Sequence, residues 1–269
     1  MKLTVLARAL PVLVLVLGFA LIPARLHADA VSWDGGDTTS DNWSATTNWS
    51  DNADPANDDL TFNNTDAVGT AGTVNNIVNQ DYTVSSLGFQ NSTGSYHTTE
   101  IPTGVTLTVN GAGGLLVGGL TGDGLLSTVN MTGGGTLTLN NAAATLRVYN
   151  EADLSPQTQM ATLDLSKLAT LNATVANVEV GAFAAQNNSR RGTLRLAGTN
   201  TITADNVYVG HNTLPSGQTS NMQGYGYLYL GEGNTIQAAR FDVGSFSASG
   251  SVAFNSGLAT PSVTIRGKS

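Results

Sequence analysis

Residues 192–210, GTLRLAGTNTITADNVYVG, alternate apolar and polar side chains around a Gly/Asn corner, with Leu194 and Leu196 before it and Ile202, Val207 and Val209 after it. A period of two places alternate residues on opposite faces of a strand, so the segment predicts a short strand, a tight corner and a second strand. Residues 226–244, GYLYLGEGNTIQAARFDVG, repeat the pattern at a constant offset of 34, and nine of the nineteen positions are identical. A looser copy, ATLDLSKLATLNATVANVEVG, closes at Gly181, and GSVAFNSGLATPSVTIRG spans residues 250–267. One such unit cannot bury its apolar face alone, whereas a stack of them can, so the chain is expected to be all-β and to wind into a parallel β-helix, a β-solenoid.

Stacking in register predicts one inward column of Leu165, Leu196, Leu230 and Phe254 and a second of Val180, Val209, Val243 and Ile265. The intervening outward columns are then Asp164, Arg195, Tyr229 and Ala253, and Glu179, Tyr208, Asp242 and Arg266. Asn200 and Asn234 fall at one corner, where their amides can bond to the coil above or below. Length differences are confined to the connections 182–191, 211–225 and 245–249, which a solenoid tolerates because a loop at a corner disturbs no column. Residues 81–146 follow the same style less strictly and read as earlier coils, so the solenoid is expected over 81–269. Residues 31–80 contain Trp33, Trp43 and Trp49, all the tryptophans of the chain, and are expected to form an amino-terminal cap over the first coil.

The first thirty residues change where this solenoid is expected to work. Lys2 and Arg8 precede an apolar run over residues 9–22, and a polar stretch closes on Ala28-Asp29-Ala30, the layout of a secretory signal peptide with cleavage near Ala30. The run contains Pro11 and Gly18 and falls short of the roughly 20 helical residues needed to span a bilayer, so no membrane insertion of the mature chain is expected. Export normally invites disulfides, yet the chain has no cysteine. Its stability must come from packing and backbone hydrogen bonds, which suits a long regular sheet.

Only 11% of the residues are charged, against roughly a quarter in average proteins, and lysine occurs three times, at 2, 167 and 268. Helix surfaces are therefore poorly supplied, while β-branched residues and Asn/Gly corners are plentiful. No Lys or Arg occurs between residues 31 and 146, where eleven acids do; from Arg147 onward eight basic residues face seven acidic ones. Such a balance excludes nucleic acid and anionic lipid as expected partners, since both need a positive footprint.

GGGTLTLNN, GTLRLAGTNTI and GYLYLGEGNTI resemble the Gly-Thr-Leu-x-Leu-x-Gly-x-Asn-Thr core of the autotransporter-associated β-strand repeats, and WDGG, NWS, TNWS and DDLTF resemble the start of exported β-helix proteins that carry them. The resemblance covers most of residues 31–269. It implies a passenger-like, right-handed parallel β-helix of pectin-lyase-like architecture, at the cell surface or secreted, in adhesion, matrix or surface-layer roles. The chain departs from an autotransporter in offering no series of ten-residue amphipathic strands for a membrane barrel. It closes a repeat at Ile265-Arg266-Gly267-Lys268-Ser269, so either the reading frame is truncated or the last coil is covered by a partner or by end-to-end self-association.

Candidate chemistry is sparse. A polysaccharide lyase or hydrolase needs two or three carboxylates within about 5–10 Å, and no expected outward column stacks two acids. The chain is accordingly expected to be a structural or adhesin-like scaffold without catalytic residues, cofactor or metal, the alternatives being a carbohydrate-active β-helix enzyme or a carbohydrate-binding module. Possible ligand-binding residues are Trp33, Trp43 and Trp49, as a sugar-stacking platform set against burial in the cap, and Arg190, Arg191, His211 and Tyr225 on the corner loops. Extracellular polysaccharide or other surface components are the matching partners. Asp51, Asp54, Asp58 and Asp59 match no calcium-loop spacing, and His97 and His211 read as isolated loop residues. Arg195 beside Tyr229 reads as a cation stacked on a ring. The Thr-x-Thr rows at Thr106–Thr108 and Thr136–Thr138 suggest a flat ice-binding face, but along the sequence they do not continue through the regular repeats.

Overall fold

The computed structural model describes residues 28–92, 94–119, 126–150, 159–181, 190–211, 224–245 and 248–268. The segment expected to be an export signal, except for its last three residues, and most of the corner loops anticipated above lie outside these residues. The strands are β1 (Ala30–Ser32), β2 (Asp59–Phe62), β3 (Asn76–Ile77), β4 (Tyr82–Phe89), β5 (His97–Glu100) and β6 (Thr106–Val117). There follow β7 (Leu126–Thr132), β8 (Thr136–Asn140), β9 (Thr145–Val148), β10 (Gln159–Asp164), β11 (Thr170–Val180) and β12 (Arg190–Arg195). The last coils contribute β13 (Thr199–His211), β14 (Tyr225–Leu230), β15 (Gly233–Ser245), β16 (Ser249–Phe254) and β17 (Ser262–Gly267). Among the described residues there is no α-helix, only one 3-10 turn at Thr46–Asn48, and no helix is long and apolar enough to cross a membrane.

The strands form two parallel sheets. Sheet I runs β1-β2-β4-β6-β8-β11-β13-β15-β17, with β9 beside β6 and β11, and sheet II runs β16-β14-β12-β10-β7-β5-β3. From β10 onward consecutive strands alternate between the sheets, so each coil adds one rung to both, and the whole is a β-solenoid of about 7 turns.

Register follows the alternation. In sheet II, Val129, Leu163, Leu194, Leu228 and Val252 pair in succession. The column expected through Leu196, Leu230 and Phe254 is present, with the Leu196 amide donating to the Tyr229 carbonyl at 2.8 Å and Leu230 paired with Phe254. In sheet I, Val180, Val209 and Val243 pair as expected. Each fully buried Leu, Val or Ile in such a column contributes about 1.5–3 kcal/mol, which offsets the lack of disulfides.

The glycines that open and close each repeat meet at the corner between the sheets. Closing Gly181, Gly210 and Gly244 have φ of 62°, 65° and 66°, a left-handed conformation that glycine adopts without a Cβ penalty. Opening Gly226 lies so close that a Cβ would strike the Gly210 amide and the Val180 carbonyl.

The last coil departs from expectation. Ile265 pairs with Ile236, and Arg266 with Gln237, so Ile265 joins the Ala173–Ile202–Ile236 column rather than following Val243, and Arg266 does not stand beside Asp242. Aligning the repeats on their closing glycines concealed this, because seven residues, 255–261, separate β16 from β17 where only Gly231 and Glu232 separate β14 from β15. Among the described residues no strand pairs with the second half of β15 on that side, and Val243 is 44% exposed where Val209 is 0%.

The tryptophans are core. Trp33, Trp43 and Trp49 are all 0% exposed, meet edge-to-face with centroids 5.1 and 5.3 Å apart, and pack on Phe62. Their indole N–H groups donate to Asp66 Oδ2, Asn76 Oδ1 and the Trp43 carbonyl. No indole face is left for a sugar, and the expectation of a tryptophan platform is withdrawn.

Candidate functional site

Outward positions of β12 and β14 stand side by side: Arg191 with Tyr225, Thr193 with Tyr227, and Arg195 with Tyr229. The Arg195 guanidinium lies 4.2 Å from the Tyr229 centroid and that of Arg191 lies 5.0 Å from the Tyr225 centroid. A guanidinium held over a ring keeps edge N–H groups that can face a carboxylate or sulfate. Between them Tyr227 is 36% exposed, flanked by Thr193 and Ser251, with no cation over its ring among the described residues. Arg191 and Arg195 are four residues apart on one strand, hence about 13 Å.

One end of this row opens into a cleft of about 390 Å³ lined by Asp164, Ser166, Lys167, Arg195, Asn255 and Leu258. Arg195 Nε lies 3.8 Å from Asp164 Oδ2, and Arg195 Nη1 donates to Asn255 Oδ1 at 3.3 Å. Asp164 in turn accepts the Ser166 amide at 2.9 Å. Among the described residues of this row and cleft, Lys167, Arg191 and Arg195 thus outnumber the carboxylate Asp164, a local reversal on a chain of net charge −8.

The other expected site residues fare differently. Arg191 and Tyr225 are brought together on strands, not loops, and Arg190 begins β12 opposite Gln159. His211 is the last residue of β13 and only 3% exposed; its ring stacks on Tyr208 at 4.1 Å. Burial lowers its pKa from the ordinary value, with Asp242 opposing and Arg240 reinforcing the shift. Its Nδ1 faces both Ser245 Oγ and, at 3.5 Å, Asp242 Oδ2. A catalytic triad needs serine and carboxylate at opposite ring nitrogens, so the cluster is not one. His97 is likewise no loop residue: it opens β5 and is 0% exposed.

The acidic segment does not gather round a cation. Asp51 and Asp54 accept the amides of Ala53 and Ala56, buried Asp58 accepts that of Asp29, and Asp59 accepts the Ser86 hydroxyl. Among the described residues no group of three or more His, Asp or Glu is placed to hold a metal. Sequence reasoning identified the Arg195–Tyr229 stack and named Arg191 and Tyr225, but missed Tyr227, although 225-YGYLYL-230 already places three tyrosines on one strand face. No protein family, curated protein or solved structure matches the chain.

Proposed function

We propose that the chain is an exported, non-catalytic scaffold of structural or adhesin-like kind that holds acidic polysaccharide along the outward face of β12 and β14. The observation that carries the reading is the exposed Tyr227 ring between two guanidinium groups, each already held over a tyrosine ring. A pyranose ring stacks on an aromatic face, and carboxylates or sulfates on neighbouring sugars meet Arg191 and Arg195. Lys167 extends the positive strip into the cleft. The export signal, the right-handed winding implied by the resemblance to autotransporter-associated repeats, and a capping role for the tryptophan cluster belong to the same proposal.

The test is affinity electrophoresis of the mature chain in gels containing polygalacturonate, dextran sulfate, neutral dextran or polyglutamate. Retardation by the two acidic polysaccharides but not by dextran or polyglutamate, lost at least tenfold in Tyr227→Ala, supports the reading. Equal retardation by polyglutamate, or indifference to Tyr227→Ala, refutes it.

A second reading draws on the cleft, where Asp164, Lys167 and Arg195 meet in the manner of a carboxylate with candidate bases. Release of new reducing ends from polygalacturonate, abolished by Lys167→Ala, would establish an enzyme.

A further inference from the structure

The outward face of sheet I, across the solenoid from the tyrosine row, carries two adjacent columns of threonine. Thr83, Thr108 and Thr138 pair in succession; Asn172 follows Thr138, and Thr201, Thr235 and Thr264 complete that column. Beside it run Thr106, Thr136, Thr170 and Thr199, and Thr174 and Thr203 start a third. The rows at Thr106–Thr108 and Thr136–Thr138 therefore do continue through the regular coils, contrary to the sequence-based expectation. Unequal steps from coil to coil hide the column from any alignment at a single offset.

Three properties set this block apart from strands that merely favour threonine. First, parallel rungs lie about 4.8 Å apart and alternate residues along a strand about 6.6 Å apart, so the side chains mark out a two-dimensional lattice. Second, the remaining outward positions of the block are Asn110, Asn140, Asn172, Gly233 and Gln237, so from β6 to β15 it is uncharged; the outward face of sheet II has one threonine run, Thr128, Thr162 and Thr193, but sets it among Asp, Arg, Tyr, Met and Ser. Third, the hydroxyls of these threonines make no hydrogen bond among the described residues, whereas those of Thr39, Thr103 and Thr260 do. Branching at Cβ restricts χ1, which favours repetition of the same methyl and hydroxyl orientation from rung to rung.

We infer that this threonine face binds ice. A regular array of methyls and unclaimed hydroxyls, free of charges that would hold disordered hydration, fits the ordered oxygen positions of a crystal surface and does not fit a flexible solvated ligand. The inference goes beyond the polysaccharide reading and uses a different sheet, so either can fail alone.

Ice recrystallisation in sucrose solution tests it, with the mature chain at micromolar concentration and albumin as the reference. The expected result is inhibition by the wild type and by Tyr227→Ala, and at least a tenfold higher concentration required for Thr138→Lys/Thr201→Lys. Both substitutions point outward, and circular dichroism and the melting temperature verify that the double variant is folded. Inhibition no better than albumin, or unaffected by the two lysines, overturns the inference. Retention on crystalline chitin or cellulose that the same lysines abolish, without any effect on ice, would assign the face to a crystalline polysaccharide and also overturn it.

Discussion

The side-chain amide of Asn200 donates to Oδ1 of Asn234 across 2.9 Å, joining equivalent corners of successive coils. Asn234 passes the bond on, donating to the Ser262 carbonyl and to the Gly231 carbonyl at 2.8 Å each while accepting the Gly231 amide. Both side chains are almost wholly buried, at 1% and 5% exposure. Replacing Asn234 by Leu should therefore leave several buried backbone groups unpaired and cost roughly 1–3 kcal/mol. Urea denaturation checks this; an unchanged midpoint would mean that the ladder does not hold the corner.

Two glycines of the same coil should behave oppositely. A Cβ at Gly226 meets backbone atoms of Gly210 and Val180, whereas at Gly233 the nearest atoms are Cγ2 and Oγ1 of Thr199, both at 3.9 Å. Gly226→Ala should destabilise by about 1–3 kcal/mol, while Gly233→Ala should be neutral or mildly stabilising because it restricts the unfolded chain. Melting temperatures of the two variants decide it, and equal losses would contradict the corner geometry.

The last described coil makes a further contrast. Ile236 is 0% exposed and Ile265, its neighbour on the next rung, is 48% exposed. Truncation to alanine should cost about 2–5 kcal/mol at Ile236 and well under half of that at Ile265. Comparable losses at the two positions would show that something covers Ile265 in solution.

How much of this was legible in the sequence depended on whether a feature repeats at one step. The Leu194–Leu228 and Val209–Val243 pairings do, and so does the asparagine corner, because the 34-residue copies align without gaps. The lattice of threonines does not: Thr138, Asn172 and Thr201 are neighbours only after corners of different length have been folded away. Ile265 was misplaced for the same reason, since the seven-residue corner before β17 shifts its partner from the second half of β15 to the first. The positive strip at Lys167, Arg191 and Arg195 was masked by the overall negative charge, because sign along a chain does not reveal which residues share a face.

Acidification should weaken the amino-terminal coils through His97. Its Nε2 donates to the Asn63 carbonyl at 2.6 Å and its Nδ1 accepts from Asn75 Nδ2 at 3.0 Å; Asn75 Oδ1 is itself occupied by the Thr98 amide and Asn76 Nδ2. The ring is thus held neutral. Burial pushes its pKa below the ordinary 6.5, with the Asn63 carbonyl and the Asp66 charge opposing. Below pH 6.5 the unfolded chain takes up a proton that the folded chain refuses, so stability falls with pH by up to about 1.4 kcal/mol per unit until the folded ring also titrates. Buried His211 adds a loss of the same sign. Urea midpoints at about pH 7.5 and about pH 5.5 should differ less in His97→Gln than in the wild type; an unchanged difference would remove His97 from the account.

Every site described here presupposes that coils stack in parallel with Thr201 beside Thr235. The chain contains no cysteine, so a pair introduced at these two outward positions reports on that register alone. Adjacent strands bring the Cα atoms to about 4.8 Å, within disulfide range. Under mild oxidation Thr201→Cys/Thr235→Cys should lose both free thiols within the monomer, while Thr201→Cys/Gln237→Cys, displaced by two residues, should keep them. Free thiols persisting in the first pair, or equal closure in both, would contradict the stacked register.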